Sequence, residues 1–211
     1  MRLPSKLIAA GTVALVAGAG VIEAGTGSAA TGPPAAAAKV KCSSYRGDVK
    51  RLGDPAAKNI GNTVRRSSVK SLLALPNPGL TDADSKRPRI APVEQRIYRI
   101  NVNLVSFKVE PDNDIHLIVA GPATGKRMIV EFVLPQCGKR RKTEMTNARN
   151  ALFTACGFPG RDFSPRKGSA TITGVGFYDQ LHGQAMVDPG YNGIELHPVL
   201  SFQPTSACTV F

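Results

Sequence analysis

The stretch RIYRINVNLVSFKVE, residues 96–110, sets two series of side chains against each other at every second position. Ile97, Arg99, Asn101 and Asn103 fall on one side; Tyr98, Ile100, Val102 and Leu104 fall on the other. A period of two held over such a length predicts one long strand with a single buried face. The residues after this strand constrain the fold further. PDND is a turn, IHLIVAG (115–121) a second strand, PATGK another turn and RMIVEFVL (127–134) a third strand. TEMTNARNALFTACG (143–157) reads as a helix. Thr143 is placed to cap it, Met145, Ala148, Leu152 and Phe153 share one face, and Gly157 is placed to end it. GSATITGVGFYD (168–179) and GIELHPVLSFQ (193–203) are the fourth and fifth strands.

Three strands, one helix and two strands is the plan of an OB-like five-stranded barrel, so the fold class is mainly β with one or more helices. The long first strand suits that plan because it must curl to serve both halves of the barrel. Gly174 and Gly176 would supply the bend or bulge that closure needs. The expected barrel domain spans 93–211, preceded by a short N-terminal helical section and linker over 42–92. In that section Asp54 stands as an N-cap with Pro55 at the first helical position. A second short helix is expected over Ser67–Leu75, with Val69, Leu72 and Leu73 on one face and PNPG ending it. Residues 79–92, polar and Pro-rich, read as a linker or surface loop. The tripeptide RGD at 46–48 resembles an adhesion motif, but so short a match arises easily by chance.

Arg2 and Lys6, an apolar run from Leu7 to Ile22 and then small residues have the layout of a secretory signal peptide, 1–30, with Ser28 and Ala30 before the cut. The run is short for a membrane span, so no stable span is expected after cleavage. Residues 31–41 read as a flexible stalk. Export to the cell exterior changes how Cys42, Cys137, Cys156 and Cys208 are read: an even count implies two disulfides with three possible pairings. Cys137–Cys156, bracing one local excursion, and Cys42–Cys208, tying the chain ends, are the expected pairs. The chain carries 27 Lys and Arg against 15 Asp and Glu, a net charge of +12, and loss of the signal lowers this by one. Such a balance favours anionic partners: nucleic acid or an anionic cell-wall polymer. The one basic cluster is GKRRK at 138–142.

In an OB barrel, ligands lie across the second and third strands, flanked by the loop between strands one and two and the loop between strands four and five. Here those loops are EPDND, running into His116, and DQLHGQAMVDPGYNG (179–193), running into Glu195 and His197, so all three histidines fall in or beside this region. Glu195 and His197 share a strand face, and Glu131 on the neighbouring third strand is in reach of Glu195. Asp112, Asp114, His116, Glu131, Asp179, His182, Asn192, Glu195 and His197 are therefore the candidate ligand-binding residues. They form an oxygen- and nitrogen-rich set suited to a hard metal or to acid–base work. His197, mid-strand before Pro198, is expected to serve structure, and His182, in the long loop, to serve a ligand. There is no G-x-S-x-G elbow or H-E-x-x-H, and GPATGK (121–126) is one residue short of a phosphate loop. No residue is assigned a catalytic role, no cofactor is expected, the metal question stays open, and nothing in the sequence sets an oligomeric state.

The segments VKRLGD (49–54), DNDIHLIV, MIVEF, GVGFYDQLHGQ and NGIELHPVL resemble those of a family of exported bacterial proteins without an assigned activity, over about residues 42–203. That resemblance implies fold and export. The run VSFKVEPDNDIHLIV…KRMIVEFVLPQ is similar in layout to the start of staphylococcal-type nucleases, which are also OB-folded. Asp112 and Asp114 match their acidic turn in kind. Glu131 stands near the position of their arginine, and Leu134–Pro135 where they carry a further Asp, so their calcium-and-arginine machinery is not carried over. The expected function is an exported binding module for an anionic or polar polymer; the alternative is a metal-assisted, nuclease-like phosphodiesterase.

Overall fold

The computed structural model describes Val40, Cys42 and residues 44–210; the expected signal peptide and nearly all of the stalk lie outside the described residues. The chain forms α1 (Gly47–Lys50), β1 (Val64–Arg66), α2 (Val69–Leu73), β2 (Ile97–Val109), β3 (Ile115–Ala120), β4 (Arg127–Phe132), α3 (Lys142–Cys156), β5 (Ser164–Pro165), β6 (Ser169–Tyr178) and β7 (Ile194–Pro204). Strands β2, β3, β4, β7 and β6 succeed one another in the sheet, and β6 returns to β2, closing a five-stranded barrel. Only the β4–β7 pair within the barrel is parallel. The barrel strands and their intervening helix are those expected from the alternation.

Strand β2 closes the barrel by dividing its length. Residues 97–103 pair with β6 and residues 103–109 with β3, with a register shift between Leu104 and Ser106. The opposite corner is turned in β6, where the register against β7 slips on both sides of Gly174. A Cβ at Gly174 would lie 2.9 Å from both Leu196 Cβ and the Pro198 carbonyl; one at Gly176 would lie 2.7 Å from the Val93 carbonyl and 2.8 Å from the Tyr98 ring. Backbone and ring cannot yield there, so both positions require glycine for space. The two-residue β5 and the three-residue β1 were not expected, because each is too short to carry a period.

The N-terminal section departs from several expectations. Pro55–Asn59 is a 3-10 turn, and the Asp54 carboxylate makes no cap bond. It instead receives Arg89 on both oxygens, at 2.7 and 3.0 Å. The second helix is shorter than expected, with Ser68 capping it by accepting from the Ser71 N–H. Residues 79–92 are mostly exposed, as a surface loop would be, but a capping box at Thr81–Asp84 orders their start and Arg89 near their end is buried. Arg46 of the RGD tripeptide is buried as well. Its guanidinium meets Glu94 through two bonds of 2.7 and 2.6 Å and donates to the carbonyls of Arg87, Pro88 and Tyr178. An adhesion tripeptide must display its arginine, and this one cannot. Beyond the third barrel strand, α3 begins one residue before Thr143, with Arg141 in the N-cap position and no side-chain cap bond.

The cysteines pair as Cys42–Cys137 and Cys156–Cys208, which overturns both expected pairs. Cys137 precedes α3 and Cys156 is its last residue, so the length of the helix separates them and proximity in sequence misleads. Cys42 packs with Cys137 in a cluster that includes Leu52, Ile60, Ile97, Met145, Val175 and Leu200. The 95- and 52-residue separations are long, and in the chain-entropy account each bridge contributes about 4 kcal/mol or more. Two such bridges belong to an oxidising environment. Among the described residues no helix is long and apolar enough to cross a membrane.

Gly176 gives a direct test of the corner. Gly176→Ala forces a methyl group against the Val93 carbonyl and the Tyr98 ring, and should destabilise the fold by about 2 kcal/mol or more in urea melts. A change within about 0.5 kcal/mol would show that the corner has slack.

Candidate functional site

Two registers build the site. Across β3 and β4, His116 is paired with Glu131. Across β4 and β7, Ile129 is paired with Glu195 and Val130 with Leu196, so continuation of the same parallel register sets Glu131 beside His197. Directly opposite residues share a sheet face, and the result is a transverse row, His116–Glu131–His197. The contacts run along it. Glu131 Oε1 lies 2.9 Å from His116 Nδ1, and Glu131 Oε2 lies 3.0 Å from His197 Nδ1. At the far end, His197 Nε2 is 3.4 Å from Asp114 Oδ2; at the near end, Glu110 at the close of β2 places Oε1 3.2 Å from His116 Nδ1. Glu195 Oε2 also stands 3.5 Å from His197 Nδ1.

Over one end of this row lies a cavity of about 280 Å³, lined among others by Lys50, Glu110, Asp112, His116, Glu131, Asp179, His182 and Glu195. Six of the expected residues are thus brought together. Asp114 and His197 sit behind them: Asp114 accepts the Leu134 N–H at 2.6 Å, and His197 is wholly buried with the Phe177 ring edge-on at 5.5 Å. Asn192 does not reach the cavity. Its amide donates to the Leu72 and Leu75 carbonyls, so it ties the long loop to the end of α2. The next residue, Gly193, has φ of +79°, and a Cβ there would lie 2.5 Å from the Asp179 carbonyl; this turn fixes where Asp179 stands. His182 is the most exposed of the three histidines, with Nε2 3.8 Å from Asp179 Oδ2.

Lys50 and Glu110 were missed. Glu110 comes directly after the alternating strand and looked like part of the turn. Lys50 comes from α1, far off in sequence; its one signal was the VKRLGD segment. Its ammonium stands 3.6 Å from Asp179 Oδ2 and 5.2 Å from the centre of the Phe177 ring.

The electrostatics are those of a buried acidic cluster with too few cations. Burial opposes charge on His116, but hydrogen bonds to Glu110 and Glu131 outweigh it, and its pKa is raised to about 9. His197 is likewise pushed well up: burial works against its charge, while the Glu131 charge and the Asp114 contact prevail. Glu131 is driven well below the usual carboxylate range despite burial, by Lys50 and His197. Glu195 goes the other way, to about 7, through burial and then the Glu131 charge. Several polar atoms remain without a hydrogen bond: His116 Nε2, Glu195 Oε2 and Asp179 Oδ1. The His197 nitrogens are also unpaired by direction, so their close carboxylates hold them as ionic contacts rather than aligned bonds.

No family model, curated protein or solved structure matches the chain.

The raised pKa values set the sign of a pH effect. For His116, whose folded value of about 9 exceeds the ordinary 6.5, the stabilisation is complete below about 6.5 and lost as the pH rises through 9. Glu195, raised from 4.5 to about 7, contributes in the same sense at lower pH. Stability should therefore fall from pH 6 to 9.5, by on the order of 3 kcal/mol. Urea melts across that range check it. His116→Gln should flatten the upper half of the profile; a wild-type stability that holds level or rises would contradict the charge assignment.

Proposed function

We propose that the protein is an exported binding module whose ligand seat is this cavity, and that the seat takes a polar group bearing hydrogen-bond donors or positive charge. One observation carries the reading: Glu195 Oε2, Asp179 Oδ1 and His116 Nε2 are buried without hydrogen bonds on residues that line one cavity. Buried polar atoms are almost always paired, so three of them around one cavity mark it as a place for a polar ligand. Two of the three are carboxyl oxygens, which accept hydrogen bonds when ionised. Export is supported by the N-terminal layout of Arg2, Lys6 and the Leu7–Ile22 run, together with the two disulfides.

The polymer reading divides between two surfaces. The cavity is acidic and disfavours a bare phosphate. The exterior is basic: Arg65, Arg66 and Arg99 are exposed where β1 lies along β2, and the guanidinium of Arg141, from the GKRRK cluster, donates to the Gly61 carbonyl close by. An anionic polymer would track that exterior while a polar or cationic group enters the cavity. Metal-assisted phosphodiester hydrolysis is the second reading. One feature favours it: His116 has Nδ1 on Glu131 and Nε2 without a hydrogen bond, and with its pKa raised to about 9 the ring holds a proton at neutral pH that it could give to a leaving oxygen as a general acid.

Thermal-shift measurement on mature protein tests the binding reading. A glucosamine oligomer, polar and cationic, should stabilise the fold by about 2.7 kcal/mol at a hundred times its dissociation constant. Glu195→Gln should remove that gain. DNA or a teichoic-type polymer should bind in a salt-sensitive way that Glu195→Gln leaves intact. If neither class of polymer shifts the melting temperature at low salt, the cavity is not a ligand seat of this kind.

A further inference from the structure

We propose that Glu110, His116 and Glu131 form a divalent-cation site at the floor of the cavity. The inference rests on the cavity being the ligand seat and names the first ligand it takes. Glu110, directly after β2, and His116 and Glu131, on β3 and β4, bring their side chains together. His116 Nδ1 lies 2.9 Å from Glu131 Oε1 and 3.2 Å from Glu110 Oε1. With metal–ligand arms of about 2.1 Å, those separations subtend roughly 90–100° at a shared centre, between octahedral and tetrahedral angles. The three ligand atoms lie within 4.8 Å of one another, and seating a cation among them requires Lys108 Nζ, 3.1 Å from the same Glu110 oxygen, to move aside.

The neighbouring set, Asp114, Glu131 and His197, meets the same proximity test and shares Glu131. It is not a second metal site. Its carboxylates lie against opposite nitrogens of one ring, neither Asp114 nor His197 lines the cavity, and the protonated ring itself supplies the positive charge. Its role is to orient. By holding Glu131 Oε2, His197 leaves Oε1 directed at His116, the kind of support that outer-shell partners give metal ligands.

The first set is different because it opens onto space. Glu110, His116 and Glu131 all line the cavity, whose volume leaves room for waters to complete a coordination shell. An independent feature belongs to the same cavity: Glu195, only 1% exposed, lines it and holds Oε2 without a hydrogen bond, 3.5 Å from His197 Nδ1. The charge count agrees. Glu110, Asp112, Asp114, Glu131, Asp179 and Glu195 stand against Lys50, Lys108 and two buried histidines, so with all six acids ionised the cluster remains anionic even with both rings protonated. Binding a dication at Nδ1 releases the proton held there, adds one net positive charge and leaves the other ring nitrogen, Nε2, as the N–H donor. One imidazole with carboxylates favours Zn²⁺ or Mn²⁺ over Ca²⁺ or Mg²⁺. A cation here also changes what the seat accepts, because a phosphate oxygen repelled by the bare carboxylates could join the metal's shell.

Calorimetric titration of chelator-treated mature protein with Zn²⁺ and with Mn²⁺ tests the site, and Mn²⁺ paramagnetic resonance gives a second readout. One ion per chain is expected. Glu110→Gln should weaken binding at least tenfold in protein that still unfolds cooperatively; His116→Gln should weaken it further. Absence of saturable binding to folded wild type, or binding unaltered in both variants, overturns the proposal. Stabilisation by the glucosamine oligomer in the presence of chelator separates the two claims: if it persists while metal binding fails, the seat stands without the cation.

Discussion

The Arg46–Glu94 ion pair is the interaction on which the rest of the arrangement depends. Both side chains are wholly removed from solvent. Isolated charges at such depth would be prohibitive, so every lone pair and proton must be answered. Glu94 receives Arg46 on both oxygens and also accepts the backbone N–H groups of Ile90 and Tyr178. Arg46 directs its remaining donors to three carbonyls and lies 5.1 Å over the Phe177 ring. Through these bonds one pair joins the start of α1, the segment entering β2 and the end of β6. A buried pair so completely satisfied gives little net stability against an apolar alternative, but losing one partner is severe.

The cavity inherits its wall from that junction. Arg46 precedes α1, and Lys50 ends it. With Arg46 anchored, Lys50 is carried over Phe177 to Asp179, where it partly offsets the charge of Glu131 and Glu195. Arg89 repeats the device nearby, bridging Asp54 to the carbonyls of Val49 and Glu94. The barrel contributes the transverse row His116–Glu131–His197, and the N-terminal section closes over it. Acceptors without hydrogen bonds inside such a wall are a stability cost that the surrounding ion pairs and disulfides offset, the relation to its scaffold that the proposed ligand seat requires.

The barrel was legible because its strands are long enough to show a period. Strand β2 runs 13 residues, and the order of strands and helix came from turns placed between periodic runs. The neighbourhood of Glu131, Glu195 and His197 was legible once the third and fifth strands were taken as adjacent. What could not be read depends on contacts between distant segments. Lys50 and Arg46 look like ordinary basic residues of a short helix until their partners at Asp179 and Glu94 are known. Asn192 sits in the same polar loop as Asp179, yet its amide turns towards the carbonyls at the end of α2. The disulfides failed for the same reason: short spacing between Cys137 and Cys156 spans a 15-residue helix that keeps them apart.

A double-mutant cycle on Arg46→Met and Glu94→Gln, read by urea melts, tests the organising role of the buried pair most directly. Each single change should cost about 3–5 kcal/mol, because it strands a buried partner. The double variant should lose little more than either single, giving an interaction energy of about 3 kcal/mol. Single costs that add to within about 0.5 kcal/mol in the double variant would contradict the account: the N-terminal section would then be held by its other contacts, and Arg46 and Glu94 would be independent of one another.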